Sequence, residues 1–330
     1  MHNKFYALSE EPFAFSPDPG FTFLTDHHIH LVDSLVEGIK QRKGFMLLTG
    51  ERGVGKTTLI HHFLSLLGGS AKAIPVFQTY PAIEDLLKYI LQYLKLPWEG
   101  GNKSFLIAQF EEYLTRKADL EETPVLIIDE AQNLGREVLE ELRLLAAADP
   151  RKPKFLQEIL VADSGFEDML NSSDLQQLAQ RIAVRCLLRP LSEGESRQYL
   201  EYRLTKAGGS LSQVFTPEAV AFIVQKSKGI PRAINLLGYL ALSAGYALSR
   251  EVIDAPLLEK VFSLIEAEKP ETRQVPGKEK ARVPRPREGA WQKLSARLAG
   301  SPRIIRVSYA LLAYSVVIWL ILLFLNLKEG

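Results

Sequence analysis

One octapeptide constrains this 330-residue chain more than anything else in it. Gly50-Glu51-Arg52-Gly53-Val54-Gly55-Lys56-Thr57 matches G-x-x-x-x-G-K-[ST] at each fixed position. A short apolar run, FMLLT (45–49), precedes it and a helical pattern follows, which is the strand–loop–helix setting the motif requires. Gly53 and Gly55 let the backbone curl so that successive N–H groups face a phosphate. A helix beginning near Lys56 adds the positive end of its dipole. Lys56 can reach the β- and γ-phosphates, and the Thr57 hydroxyl can ligate Mg²⁺. Thr58 continues the first helical turn as a structural member. Gly50 to Thr58 is therefore the expected ATP-binding stretch, with Mg²⁺ as the companion ion.

A second motif supports the first. Val125-Leu126-Ile127-Ile128-Asp129-Glu130 reads as a buried strand ending in two carboxylates. Asp129 would hold Mg²⁺, directly or through water. Glu130 would polarise the attacking water.

Hydrophobic periodicity organises the rest. A Pro- and aromatic-rich segment, EEPFAFSPDPGFTF, leads into an amphipathic helix with Ile29, Leu31, Leu35, Val36 and Ile39 near one face. Strands are predicted at 45–49, 73–79, 125–129, 155–163 and 183–191, alternating with helices at 82–95, 104–118 and 136–148. This alternation predicts a three-layer α/β domain with a mostly parallel sheet over residues 1–191. Helical patterns at 195–207, 217–228, 232–249 and 256–268, with Pro217 and Pro256 in first turns, predict a small all-helical lid domain over 192–268. Residues 269–303 are rich in proline and basic residues and read as a linker.

Residues 304–330 carry the run VSYALLAYSVVIWLILLFLNL, with no charge between Arg306 and Lys328. About 20 such residues in a helix span a bilayer core. Arg297, Arg303 and Arg306 precede the span, so the positive-inside rule places the N-terminal part in the cytoplasm and the chain in the inner membrane with a single pass. The basic linker is either a lipid contact or a solubilising spacer. No signal peptide is read at the N-terminus. The single cysteine, Cys186, fits a reducing compartment. The net charge of +1 gives no argument for nucleic acid, which is not an expected partner. Five of the six histidines are His27, His28, His30, His61 and His62, but a metal site needs convergent geometry and usually carboxylate or thiol company, and none is expected here. Tyr80 and Trp98 suit either core packing or a partner surface.

FYALSEEPFAFSPDPGF, GFMLLTGERGVGKTTL, LIIDEAQNL and GIPRAINLL together resemble the general secretion pathway protein A family of AAA+ ATPases, in the family's order, over roughly residues 1–265. The resemblance implies an AAA+ fold with a helical lid, and oligomers with ATP between subunits. It implies that Arg181, with Arg185 in reserve, reaches a neighbour's γ-phosphate and that Arg232 senses nucleotide from the lid. It also places His30 in a helix beside the nucleotide. Where relatives carry an uncharged amide after the fourth strand, this chain has Asp163. An ionised Asp163 near a γ-phosphate would repel it, so slow turnover is expected.

These readings converge on a membrane-anchored AAA+ ATPase that drives or regulates assembly of an envelope export machine, working with secretion, pilus or exopolysaccharide proteins. Two alternatives stand beside it. One is a nucleotide-gated recruitment module with little hydrolysis, and the other is a DNA-linked, transposition-type ATPase.

Overall fold

The computed structural model describes residues 2–14, 19–67, 71–120, 122–145 and 156–267. The chain runs α1 (His2–Phe5), α2 (Asp26–Lys40), β1 (Phe45–Gly50), α3 (Lys56–Leu66), β2 (Ala71–Val76), α4 (Ile83–Tyr93), α5 (Lys103–Asp119) and β3 (Thr123–Ile128). It continues through α6 (Arg136–Leu145), β4 (Gln157–Ala162), α7 (Phe166–Leu170), α8 (Gln176–Arg181) and β5 (Ile182–Leu188). The remainder is helical: α9 (Glu193–Lys206), α10 (Leu211–Val214), α11 (Pro217–Ser227), α12 (Pro231–Ala247) and α13 (Ala255–Ala267).

The five strands form one parallel sheet in the order β2-β3-β4-β1-β5. The inner strands β1 and β4 are buried at every position, as strands covered on both faces must be. The edge strands β2 and β5 carry exposed residues. Two prolines show why the order is tolerated. Pro75 lies on edge strand β2, where a missing N–H goes unused. Pro124 lies on β3 ahead of Val125, where pairing with β4 begins.

Helices cover both faces. Leu31, Val32, Leu35 and Ile39 of α2 and Leu59, Ile60 and Phe63 of α3 pack on one side of the sheet, against Met46, Leu48, Ile127 and Val161. Residues of α4, α5, α6 and α8 cover the other, against Leu47, Ile74, Leu126 and Leu160. Within α2, Ile29 is exposed and Val32 takes the place expected of it on the buried face. The 3.6-residue turn carries position 29 off the stripe that Leu31 and Leu35 define. Tyr80 and Trp98 pack against the second of these clusters. The Cys186 thiol is buried, which pushes its pKa up to about 11.

Residues from α9 to α13 form a separate cluster around Leu200, Leu204, Ile223, Ile234 and Leu242. Leu8, Phe13 and Phe21, from the first residues of the chain, belong to this helical cluster and not to the sheet. Arg203 of α9 fastens them. Its guanidinium donates to the carbonyls of Pro12 and Ala14 and lies over the Phe21 ring. Tyr202 donates to the Thr22 carbonyl, at 3.0 Å, and Ser9 to that of Ala207, at 2.9 Å.

The helical part meets the sheet domain at a tight joint. Leu191 donates its N–H to the Gly229 carbonyl, at 2.8 Å. Gly229 has φ +74°, and a Cβ there would fall 1.9 Å from the Leu191 carbonyl oxygen. Gly229→Ala therefore combines left-handed strain with a backbone clash, and should cost roughly 3 kcal/mol. Thermal denaturation should show the melting temperature falling by about 10 °C; an unchanged value would show that the joint relaxes freely.

Among the described residues no helix is long and apolar enough to cross a membrane. The span expected at 304–330 and the linker at 269–303 lie outside the described residues.

Candidate active site

The phosphate-binding loop is the link between β1 and α3. Gly53 (φ +85°) and Gly55 (φ +105°) take left-handed conformations that other residues reach only with strain. Gly55 forms the N-cap of α3, so the helix dipole opens where the loop curls. The Lys56 side chain is 6% exposed and folds back over the loop, donating to the carbonyls of Gly50 (2.8 Å) and Glu51 (3.2 Å). Burial lowers the pKa of its ammonium, and Glu130, Asp129 and Asp163 oppose that shift.

The ends of β3 and β4 bring the carboxylates to the same place. Asp129 is buried; its Oδ2 accepts from Thr57 Oγ1 (2.6 Å) and its Oδ1 from the Glu130 backbone N–H (2.9 Å). Glu130 has φ +54°, a left-handed conformation rare for a side chain of its size. Strain of this kind is held where the surroundings fix a catalytic geometry. Thr57 and Asp129 thus present hard oxygen donors side by side, a set that suits Mg²⁺, which takes few protein ligands and completes its shell with phosphate oxygens and water. Among the described residues no cluster of three His, Cys, Asp or Glu competes for a metal. When bound, the ion would neutralise phosphate charge; these two residues would hold it.

Arg232 reaches this site from the lid. Its backbone N–H donates to the Gly53 carbonyl (3.2 Å), and a Cβ on Gly53 would lie 2.8 Å from the Arg232 Cβ. A cleft of about 880 Å³ runs between the loop and the lid, lined on the phosphate side by Arg52, Lys56, Thr57 and Glu130. Its lining also includes Phe21, Phe23, His28, Tyr199 and Asn235, an aromatic and polar set that suits a nucleobase. The histidine in the cleft is His28, whereas His30 is exposed. His28 Nδ1 accepts the Thr25 N–H (3.1 Å), and burial lowers its pKa to about 4, so the imidazole is neutral with its proton on Nε2. Position 28 serves at once as helix cap partner and cleft wall, a double role that the run of histidines did not reveal.

Asp163 lies 3.6 Å from Arg52 through Oδ2, and its Oδ1 caps the Gly165 N–H at 3.1 Å. The carboxylate therefore does not face the phosphate site as a bare charge, as the sequence suggested. The pair is exposed on the Arg52 side and worth under about 1 kcal/mol.

Arg181 and Arg185 stand apart from the cleft of their own chain. Arg181 donates to the Arg143 carbonyl (3.0 Å) and lies near Glu158. Arg185 binds Glu167 and the Ala179 carbonyl. Arg185 is the more exposed of the two. Gln132 and Glu158 escaped sequence reading. Gln132 donates from Nε2 to Glu130 (2.6 Å) and accepts the Asp163 N–H at Oε1 (3.1 Å). Arg52 was expected within the ATP-binding stretch of residues 50–58, but its pairing with Asp163 was not. Glu158 is fully buried, its carboxyl pushed well up in pKa by burial, with both oxygens unpartnered among the described residues.

A parallel sheet with these two motifs at the carboxyl ends of β1 and β3, on either side of β4, and roofed by a helical lid defines a P-loop ATPase of the AAA+ class, and this chain is one. The sequence pattern of the AAA domain family matches residues 39–170. The chain is 35% identical over 248 residues to general secretion pathway protein A of Aeromonas hydrophila, and the resemblance read from the motifs holds over 75% of this chain. The chain spans 45% of that relative's length. Among solved structures, the ORC2 protein of Aeropyrum pernix, in ADPNP–ADP complexes, matches with a TM-score of 0.60 at 18% identity, covering 78% of this chain and 72% of that one. The ORC1 protein of the same organism in complex with DNA matches with a TM-score of 0.55 at 18% identity, covering 78% and 70%. At such identities the likeness is one of fold.

Proposed function

We propose that this chain binds and hydrolyses Mg-ATP at the cleft between loop and lid, and does so as a membrane-anchored subunit that drives or regulates assembly of an envelope export machine. The site itself suits any AAA+ ATPase. The export assignment is carried by the 35% identity to general secretion pathway protein A over 248 residues. Asp129 and Thr57 hold Mg²⁺, Lys56 and the loop N–H groups hold the phosphates, and Glu130 takes up the proton of the attacking water. Arg232 reports the occupied site to the lid.

In this reading the chain self-associates with ATP at subunit interfaces, and Arg181 or Arg185 acts on a neighbour's γ-phosphate. Arg185 suits the role better, because an exposed guanidinium can be exchanged from Glu167 to a phosphate while Arg181 is tied to its own backbone. The apolar run at 304–330 anchors the chain in the inner membrane, with the ATPase in the cytoplasm and the basic linker against anionic lipid. A nucleic-acid partner is a second reading. One similar fold was solved with DNA, but that likeness reaches this chain through the fold alone.

Alkaline carbonate extraction of membranes tests the anchor. The full chain should stay in the pellet, and a chain ended after residue 268 should wash off. Phosphate release per chain should rise with the amount of full chain reconstituted per vesicle. A full chain that washes off, or a rate per chain independent of density, contradicts the anchored oligomer.

A further inference from the structure

Arg52 lines the phosphate side of the cleft and pairs with Asp163, 3.6 Å away. Arg52 is the third residue of the phosphate loop, and its side chain is 71% exposed at the mouth of the cleft. Asp163 follows β4 directly and lies beside the Glu130–Gln132 turn that follows β3. The Lys56 ammonium feels all of these groups: Glu130, Asp129 and Asp163 on one side, and Arg52 on the other. A terminal phosphate held by Lys56 would enter this ring of charges, and the β-phosphate would lie deeper against the loop.

We infer that Arg52 and Asp163 form a γ-phosphate gauge: without a terminal phosphate Arg52 rests on Asp163, and with one it turns to the phosphate oxygens. This rests on the reading of the cleft as an ATP site. The exchange is favourable because the resting pair is exposed and long, whereas a guanidinium on a phosphate makes short, charge-assisted bonds. The exposed Arg52 side chain needs no repacking to make the move.

Asp163 also joins the gauge to the catalytic carboxylate. Its backbone N–H holds Gln132 Oε1, and Gln132 Nε2 holds Glu130. Gln132 is therefore a positioning residue, since it fixes the rotamer of the group that polarises water without itself reaching the phosphate.

The test compares ADP and the slowly hydrolysed triphosphate ATPγS, by titration calorimetry on the full chain with Mg²⁺ present. Arg52→Ala should weaken ATPγS binding by about tenfold and leave ADP binding within about twofold. Asp163→Asn should strengthen ATPγS by about tenfold, again with ADP unchanged, because it removes both the competitor and the repulsion. Gln132→Leu should lower kcat by about tenfold at unchanged ATPγS affinity, which a merely structural defect would not do. Equal effects on ADP and ATPγS, or no effect from Arg52→Ala and Asp163→Asn, overturn the gauge while leaving the ATP site intact. A wild-type chain that binds neither nucleotide overturns the ATP reading and the gauge with it.

Discussion

Replacing Lys56 by alanine is expected to reduce ATP turnover at least about 10²-fold and to weaken nucleotide binding with it. The ammonium is already buried over the loop, held by two backbone carbonyls 2.8 and 3.2 Å away, so its position is set before nucleotide arrives. Its pKa is lowered by burial, and a phosphate beside it would raise it again. Alanine removes the charge that two or three phosphate oxygens would share. Lys56→Arg should fail nearly as badly, because a planar fork cannot occupy the space a compact ammonium fills beneath the curl of Gly53 and Gly55. Phosphate release and calorimetric ADP titration, checked by an unshifted melting temperature, measure the effect. A variant retaining half the wild-type rate would remove Lys56 from the site.

Glu130→Gln should behave differently: nucleotide stays bound while turnover falls by roughly 10²- to 10⁴-fold. Glutamine has the same shape, and its carbonyl oxygen can still accept from Gln132 Nε2 as Glu130 Oε2 does at 2.6 Å. The left-handed backbone at φ +54° is no harder for glutamine than for glutamate. What the amide lacks is the ability to take a proton from water. Affinity for ATPγS should remain within about twofold of wild type, so the loss appears in kcat. A loss of affinity equal to the loss of rate would assign Glu130 to binding and leave the water without its base.

Most of the fold was legible because local patterns agree with the global arrangement. FMLLT and VLIID could be read as inner strands because both faces of each are covered, and that demands unbroken apolar runs. Pro217 marked a first turn that the structure shows capped by Thr216. The sheet order, by contrast, depends on pairings between segments far apart in sequence, and no local pattern states it. The packing of Phe13 and Phe21 on the lid was equally hidden, since it depends on Arg203 lying some 190 residues away. Among the site residues, the loop and the two carboxylates were legible because their spacing encodes their chemistry. Gln132, His28 and the partner of the Arg52 side chain were not, because each depends on a contact made only by folding. Asp163 was legible as a departure from the resembling family, but its pairing with Arg52 was not.

The central claim is that this cleft hydrolyses ATP, and steady-state phosphate release from Mg-ATP by the full chain tests it most directly, with Glu130→Gln run beside it at nucleotide saturation. The structure predicts release by the wild type that is roughly 10²-fold or more above the variant, with both proteins binding ATPγS. Equal, background-level release from two proteins that both bind ATPγS would contradict it and leave a nucleotide-gated switch in its place.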